Sequence, residues 1–283
     1  MTGQTTQVPR PLAFVTGASR GIGKQIAIAL AAAGYDVVIT ARTVNEGEAI
    51  DERSGVPLPG SLEVTAEACE ALGAAVMPLP MDLLDDVSVD TACRLTVEQW
   101  GAPDVVVNNA IFQGPGTTSR LLDTPFDALE KSFHGNVLAQ LRIIQRLAPT
   151  MIDAGGGTIV NVVSAAGMFD PPRPVGEGGW SIAYGSSKGA MVRATGTLAL
   201  ELGASGMRII GLEPGLVLTE RMQALHGNEY LVASGGASTT PEVIGRVLVW
   251  LVTDPGAARW VGKNVHAQPL ATKLGYLPAD ESG

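Results

Sequence analysis

Tyr184 and Lys188 are the two side chains whose types and spacing point most directly to chemistry. They are four residues apart in a segment with helical apolar spacing, so both leave the same face of a helix. A phenol is a poor acid at neutral pH, but an adjacent ammonium stabilises the phenolate, so we expect Lys188 to lower the pKa of Tyr184. Ser164, at the end of a strand pattern, would hold a substrate oxygen. Ser164, Tyr184 and Lys188 together predict proton transfer at a carbonyl or alcohol. The alternative is that Tyr184 and Lys188 are only an exposed pair on an amphipathic helix.

A glycine-rich turn between a strand and a helix is the second chemical feature. Residues 12–15 form a short apolar run typical of a buried parallel strand, and apolar positions recur at helical spacing after Gly21. Gly17, Gly21 and Gly23 let the backbone turn tightly and let a phosphate approach the main chain. The free amides at the helix start, with the positive end of its dipole, would hold the pyrophosphate of a dinucleotide. A glycine-rich turn without a ligand is the alternative.

The end of the second predicted strand, residues 36–40, bears on which dinucleotide would bind. A carboxylate at that position accepts hydrogen bonds from the adenosine hydroxyls, but this chain has Ala41 and Arg42 there. Because a guanidinium attracts a 2′-phosphate, Arg42, helped by Arg20 and Thr43, predicts NADP rather than NAD. Two ordinary surface arginines are the alternative.

Polar residues also follow the third and fourth predicted strands. Asp82 and Leu83 come after the third strand, where Asp82 would receive the adenine amino group; a turn-capping aspartate explains it equally well. Asn108 and Asn109 come after the fourth strand, and we expect them to bond to neighbouring strands and to brace the backbone below a nucleotide.

Two further segments have unusual features. Residues 43–60 are polar and too long for an ordinary connection, so they predict either a flap beside the adenosine phosphate or an oligomer contact. A long helical pattern over residues 125–151 contains Asn136, which would bend the helix locally or bind a water.

The alternation of strand and helix patterns along the chain predicts an α/β fold in a single domain.

The amino-acid composition restricts which kinds of partner and ligand this protein is expected to bind. The chain has 283 residues, of which 46% are hydrophobic, enough for one large core, and its net charge of -9 argues against nucleic acid or an anionic membrane as main partner. No apolar run approaches the roughly eighteen residues that a membrane span needs. Cys69 and Cys93 lack a CxxC partner, which indicates reduced packing residues in a cytoplasmic protein. The three histidines are scattered, so we expect no metal site.

Taken together, the motifs resemble the classical short-chain dehydrogenase/reductase family from about residue 10 to residue 267. The resemblance is carried, in the order and approximate spacing of the family, by Thr16-Gly17-x-x-x-Gly21-Ile22-Gly23, Asn108-Asn109-Ala110, Asn136, Ser164, Tyr184-x-x-x-Lys188 and Pro214-Gly215. It implies a three-layer doubly wound Rossmann fold with a seven-stranded parallel sheet. It also implies hydride transfer between a nicotinamide cofactor and a ketone, aldehyde or alcohol, and a homo-oligomer, either a tetramer or a dimer.

The resemblance assigns roles to individual residues. It implies a catalytic tetrad of Asn136, Ser164, Tyr184 and Lys188, in which the lysine also holds the nicotinamide ribose and the asparagine positions a water through its backbone carbonyl. Val217 and Thr219 would contact the cofactor's carboxamide and phosphate. The implied cofactor-binding residues are Gly17, Ser19, Arg20, Gly21, Ile22, Gly23, Arg42, Thr43, Asp82, Leu83, Asn109, Ala110, Tyr184, Lys188, Pro214, Gly215, Val217 and Thr219.

The chain departs from the family pattern in several places. Ile111 stands where the family usually has glycine. Residues 165–183 are an insertion on the substrate side, rich in proline and containing Trp180; we expect either a wall for a bulky apolar substrate or a surface excursion or subunit contact. Residues 217–240 suit a lid. The expected boundaries are an N-terminal tail over 1–10, the Rossmann domain over 11–267 and a C-terminal tail over 268–283, in which Tyr276 and Leu277 fold across a neighbouring subunit's pocket.

The sequence thus predicts an NADP(H)-preferring oxidoreductase acting on a small-molecule carbonyl or alcohol. Two alternatives remain open. One is an epimerase or dehydratase of the same fold, with no net cofactor turnover. The other is a regulator that binds NADP without catalysis.

Overall fold

A parallel sheet forms the centre of the computed structural model, which describes residues 10–226 and 238–278. The strands are β1 (Leu12–Thr16), β2 (Asp36–Ala41), β3 (Val76–Pro80), β4 (Val105–Asn108), β5 (Gly157–Val162), β6 (Met207–Glu213), β7 (Leu216–Val217), β8 (Ser238–Thr239) and β9 (Asn264–His266). Seven of them form one parallel sheet in the order β3-β2-β1-β4-β5-β6-β9. β7 and β8 form a separate two-stranded parallel pair.

Helices cover both faces of the sheet. They are α1 (Gly21–Ala32), α2 (Leu62–Glu70), α3 (Asp86–Trp100), α4 (Phe126–Phe133), α5 (Ala139–Asp153), α6 (Ile182–Leu202), α7 (Glu220–His226), α8 (Pro241–Thr253) and α9 (Ala267–Lys273). Ser61 caps α2, because its hydroxyl accepts a hydrogen bond from the main-chain nitrogen of Val64 at 3.1 Å.

The two larger clusters of the apolar core lie on opposite faces of the sheet, and a smaller third cluster contains Val137, Val163 and Met191. Successive side chains of a strand point to opposite faces. Ala13 and Val15 of β1 therefore join the cluster that includes α1 and α8, whereas Phe14 joins the cluster that includes α3 and α5. The predicted three-layer, doubly wound α/β fold with a seven-stranded parallel sheet in a single domain is confirmed.

The strand order places the predicted motifs at one edge. β1 and β4 are neighbours at the point where the order reverses, and β1 ends at Thr16 while β4 ends at Asn108. In open parallel sheets, ligands bind outside the carboxyl ends of the strands at that point. The glycine turn and the Asn-Asn pair therefore meet at this edge.

The helical pattern over 125–151 is not one helix. α4 ends at Phe133, a π-helical turn spans His134–Leu138, and α5 begins at Ala139. Asn136 lies inside the π turn, which confirms the expected local distortion. Such turns add a residue to a helical turn and occur often at functional sites.

The C-terminal residues pack on the core. Residues 267–273, mostly assigned to the tail, form α9, whose Leu270 and Ala271 are buried. Tyr276 packs against the same core, with its ring centroid 3.9 Å from the guanidinium carbon of Arg246. The core therefore continues past residue 267, and Tyr276 contacts its own chain where a neighbouring subunit was expected.

The predicted lid over 217–240 is only partly described. Its flanks contribute β7, α7 and β8, and residues 227–237 lie outside the described residues. Within the described ranges, none of the helices combines the length and apolar character required to cross a membrane.

Candidate active site

The glycine turn joins β1 to α1 at the carboxyl edge of the sheet. Gly17 has a φ of 67°, and a Cβ there would lie 2.9 Å from the Cα of Ala110. A Cβ on Gly23 would lie 2.2 Å from the carbonyl oxygen of Gly17, so a side chain cannot be accommodated. The turn exposes bare backbone beside the N-terminus of α1, which is a cradle that a phosphate group fits.

Two asparagines at the end of β4 brace this edge of the sheet, and the second of them holds the glycine turn. The side-chain nitrogen of Asn109 donates to the main-chain oxygen of Thr16 at 2.8 Å, and its main-chain nitrogen donates to the Thr16 hydroxyl at 2.9 Å. The side-chain nitrogen of Asn108 donates to Oδ1 of Asn161 on β5 at 3.0 Å. These contacts confirm the predicted bracing between neighbouring strands.

Ser164, Tyr184 and Lys188 come from the end of β5 and the start of α6. The Ser164 hydroxyl accepts from the main-chain nitrogen of Ala166 at 3.2 Å and is also a hydrogen-bond partner of the Tyr184 phenol. Ser181 caps α6 by accepting from the main-chain nitrogen of Tyr184 at 3.2 Å. The first turn of α6 is thereby fixed with its tyrosine beside β5.

One cavity of about 430 Å³ is lined by both the glycine turn and this group of side chains. Its volume lies within the roughly 300–1,000 Å³ typical of cofactor and small-molecule sites. The lining includes every predicted cofactor-binding residue, together with Ser164. Among the predicted site residues, Asn136 does not line it.

The acid–base properties of the pair differ from the expectation. Burial disfavours the phenolate and raises the pKa of Tyr184; the Ser164 hydroxyl opposes the rise and the charge of Glu213 adds to it. Nζ of Lys188 donates to the main-chain oxygen of Val162 at 2.7 Å, and burial lowers the lysine pKa to about 8. The prediction that Lys188 lowers the pKa of Tyr184 was wrong, because the ammonium is itself desolvated and bonds to β5.

Asn136 lies behind the cavity and joins two of its walls. Its Oδ1 accepts from the main-chain nitrogen of Phe112 at 2.6 Å, and its Nδ2 donates to the Ser187 hydroxyl at 3.2 Å. Phe112 lines the cavity, and Ser187 lies next to Lys188 on α6. Asn136 therefore ties the loop after β4 to the helix that carries Tyr184.

The 43–60 insertion folds back onto the two arginines that were predicted to select the cofactor. Arg42 is paired with Glu52 of the insertion at 2.6 Å, and Arg20 donates to the main-chain oxygens of Pro59 and Gly60, each at 2.9 Å. Both arginines line the cavity. The segment therefore lies beside the two arginines, which is where a flap was expected.

Two other expectations concern residues at the cavity edge. Asp82 lines the cavity, and its Oδ1 accepts from the main-chain nitrogen of Leu84 at 2.9 Å, which is the turn-capping arrangement. The cavity lining includes no residue of the 165–183 insertion. Trp180 of that insertion packs instead on α6, where a Cβ on Gly185 would lie 3.0 Å from its ring.

Two carboxylates beside the cavity were missed by the sequence analysis. Glu213 accepts from the main-chain nitrogen of Gly215 at 2.8 Å, and its other oxygen lies 3.0 Å from Nδ1 of His266. Asp51 in the insertion is paired with Arg221 of α7 at 2.6 Å. An acid directly before a Pro-Gly bend was a visible signal for Glu213. No local sequence signal marked Asp51, because its partner Arg221 is 170 residues away in the chain.

Neither cysteine lines the cavity. Cys69 and Cys93 are buried and free, and burial raises the pKa of each thiol to about 12. In the part of the chain that the structure describes, no three His, Cys, Asp or Glu side chains are grouped so as to hold a metal ion.

The sheet and the cavity at its carboxyl edge define a Rossmann-type α/β protein. Residues 17–268 match the family described as Enoyl-(Acyl carrier protein) reductase. A Mycobacterium tuberculosis protein named an uncharacterized NAD-dependent oxidoreductase is 32% identical over 267 residues, which cover 87% of this chain and 90% of that protein. The 3-oxoacyl-[acyl-carrier-protein] reductase of Synechocystis is 30% identical over 268 residues, covering 93% and 96%.

A solved structure with a similar fold is that of L-sorbose reductase from Gluconobacter frateurii complexed with NADPH and L-sorbose. It has a TM-score of 0.75 and 25% identity, and the match covers 93% of this chain and 97% of that one. The chain belongs to the short-chain dehydrogenase/reductase family of oxidoreductases, whose members use a nicotinamide cofactor.

Proposed function

We propose that this protein is an NADP(H)-dependent oxidoreductase that interconverts a ketone or aldehyde with an alcohol. One observation carries the proposal: a single cavity is lined both by a bare glycine turn and by Ser164, Tyr184 and Lys188. A nicotinamide bound there supplies or accepts hydride. The side chains of this protein provide the proton and hold the reacting oxygen.

Tyr184 acts as the general acid in the direction of reduction. Because burial raises its pKa, the phenol stays protonated at neutral pH and has a proton to give to a carbonyl oxygen. The Ser164 hydroxyl, already a hydrogen-bond partner of the phenol, holds the same oxygen. In the direction of oxidation the phenolate takes the proton of the alcohol.

Lys188 and Asn136 support this chemistry from behind the reacting groups. With a pKa of about 8, the Lys188 ammonium is mostly protonated at neutral pH and is available to a ribose hydroxyl at the cavity wall. Asn136 is a positioning residue, since its side chain is bonded to the loop at Phe112 and to Ser187 of α6.

The preference for NADP rests on Arg42, Arg20 and Thr43, which line one cavity wall together. The Arg42 side chain is 56% exposed, so a 2′-phosphate can reach it and replace Glu52 as its anion. The relatives include one named as NAD-dependent and one structure that holds NADPH. The charge at the end of β2 supports NADP for this chain.

The substrate is a small carbonyl or alcohol with an apolar body. Ile111, Phe112, Leu216 and Met222 contribute apolar side chains to the cavity, and Gln113 adds a polar group. Apolar lining with a few polar groups near the reacting oxygen is typical of sites that orient such compounds.

The test uses the purified protein with NADPH or NADH and a panel of ketones and aldehydes, including steroids and cyclic ketones. We expect the wild type to consume NADPH in a substrate-dependent way. Tyr184→Phe should lose turnover by about 10²-fold or more and keep nucleotide binding, measured by fluorescence. Tyr276→Phe, at the distant C-terminal end, is the control and should retain activity.

Two outcomes would favour the alternatives over the proposal. Conversion of a substrate without net NADPH consumption would indicate an epimerase or dehydratase. Nucleotide binding without turnover of any panel member would indicate a regulator.

We also propose a cytoplasmic homo-oligomer, either a dimer or a tetramer. Three apolar residues close together in sequence at the start of α4, Leu121, Leu122 and Phe126, are 57%, 96% and 72% exposed, and association with a second copy would cover them. Free, buried thiols suit a reducing compartment. Light scattering of the purified protein tests the assembly, and a monomeric mass would contradict it.

A further inference from the structure

A buried ion pair joins two segments beside the cavity. Asp51, in the 43–60 insertion, is 3% exposed, and its Oδ2 accepts from Nε and Nη2 of Arg221 at 2.9 and 2.6 Å. Its Oδ1 accepts from the Ser54 hydroxyl at 3.0 Å. Burial by itself raises the pKa of Asp51, but hydrogen bonds from Arg221 and Ser54 outweigh it and bring the pKa to about 2. The carboxylate is therefore ionised and fixed in orientation.

Arg221 connects this carboxylate to the cavity wall. Its guanidinium also donates to the side-chain oxygen of Gln113, and both residues line the cavity. The preceding residue, Glu220, accepts from the main-chain nitrogen of Gly21 at 2.8 Å, at the start of α1. The first turn of α7 is thus held by the insertion, by the loop after β4 and by the glycine turn.

We propose that Asp51 is a positioning residue that, through Arg221, holds the first turn of α7 against a bound dinucleotide and slows its release. The inference rests on the dinucleotide site of the proposed function. Thr219, which precedes this turn, and Met222, which lies within it, line the same cavity as the glycine turn and Arg42. A dinucleotide in the cavity is therefore bordered both by this turn and by residues that the insertion holds.

The strength of the contact comes from its burial and its charges. Hydrogen bonds between ionised groups are about twice as strong as neutral ones, and a buried carboxylate that loses its guanidinium is strongly disfavoured. The two segments therefore stay together while both charges remain. Changing Asp51 to an amide removes one charge without altering any group that lines the cavity, because Asp51 does not line it.

The experiment measures how fast NADPH leaves the full-length protein, by stopped-flow fluorescence after mixing the complex with excess NADP⁺. Asp51→Asn and Arg221→Gln should each raise the release rate roughly tenfold. The double variant should release NADPH no faster than Arg221→Gln alone, because the contact with Asp51 is already lost in that single variant. The control is Asp90→Asn on α3: a hydrogen bond from Arg146 holds the pKa of Asp90 at about 2, and Asp90 does not line the cavity. Its release rate should equal that of the wild type.

The outcomes separate this inference from the proposed function. An unchanged release rate in Asp51→Asn with lowered thermal stability overturns the inference and leaves Asp51 a structural residue. A double variant that releases NADPH clearly faster than Arg221→Gln, as independent contributions of the two residues would require, also overturns the inference. Should Asp51→Asn fail to fold, Arg221→Lys carries the same test with a smaller expected rise, since one charged hydrogen bond remains. A wild type that binds neither NADPH nor NADH overturns the proposed function, and the inference with it.

Discussion

Nζ of Lys188 lies 2.7 Å from the main-chain oxygen of Val162, so the buried lysine of α6 is anchored on the last residue of β5. This contact directs the amine to the strand and leaves the neighbouring phenol in a desolvated site. Burial then acts on both groups in opposite directions, raising the pKa of Tyr184 and lowering that of Lys188 to about 8. Both shifts have consequences that can be measured.

Lys188→Met should change how stability depends on pH. The lysine loses its proton near pH 8 when folded and near 10.5 when unfolded, so between these values the unfolded chain binds more protons. The wild type therefore gains up to about 1.4 kcal/mol of unfolding free energy per pH unit in that window, and the variant does not. Urea titrations from pH 7 to pH 10 check this. The wild-type value minus the variant value should be flat below pH 8 and rise above it; a flat difference throughout contradicts the prediction.

Glu213→Gln should move the pH profile of the reaction to lower pH. The negative charge of Glu213 adds to the rise in the Tyr184 pKa, so its removal lowers that pKa. Reduction needs the phenol and falls as pH rises through this pKa, whereas oxidation needs the phenolate and increases. Both limbs of kcat/KM against pH should shift downward. Glu177→Gln, an exposed acid paired with Arg120, is the control. A shift of Glu213→Gln to higher pH would count against the assignment.

Arg42→Asp should reverse the cofactor preference. A charge-assisted contact to the 2′-phosphate is worth about 1.5–3 kcal/mol, so the ratio of kcat/KM for NADPH over NADH should fall at least tenfold. Arg94→Asp is a closely matched control, because Arg94 and Arg42 both have an acidic partner at 2.6 Å and a side chain that is 56% exposed. Arg94 lies on α3 and is not part of the cavity lining. Equal ratios in the wild type and Arg42→Asp would reject the role of Arg42.

Asn136→Ala should reduce both stability and turnover. The main-chain nitrogen of Phe112 loses its acceptor inside the protein, which costs about 1–3 kcal/mol, and Tm should fall by a few degrees. Because the loop and α6 are no longer tied together, kcat should fall more than the affinity for nucleotide. Asn45→Ala, which removes an exposed asparagine paired with Glu48, is the control. A lower Tm with unchanged kcat would make Asn136 purely structural.

The regular elements were readable from local patterns. The helix α8 is an example, since a proline at its first position and apolar residues at helical spacing mark it in the sequence. The buried run of β1 and the glycines after it likewise predict a strand and a phosphate cradle. The π turn at His134–Leu138 divides the pattern of 125–151 without changing its apolar residues, so sequence periodicity indicated one helix there.

The sequence by itself determined which chemical groups this protein has and the order in which strands deliver them to one edge of the sheet. It placed Ser164, Tyr184 and Lys188 correctly in one cavity, because parallel strands and short helical spacings fix where such residues emerge. Only the tertiary structure decided how these groups are charged and which distant residues hold them. Burial sets the pKa values of Tyr184 and Lys188, and the pairing of Asp51 with Arg221 joins segments far apart in the chain. Desolvation and long-range ion pairs depend on packing in three dimensions, which local sequence patterns do not contain.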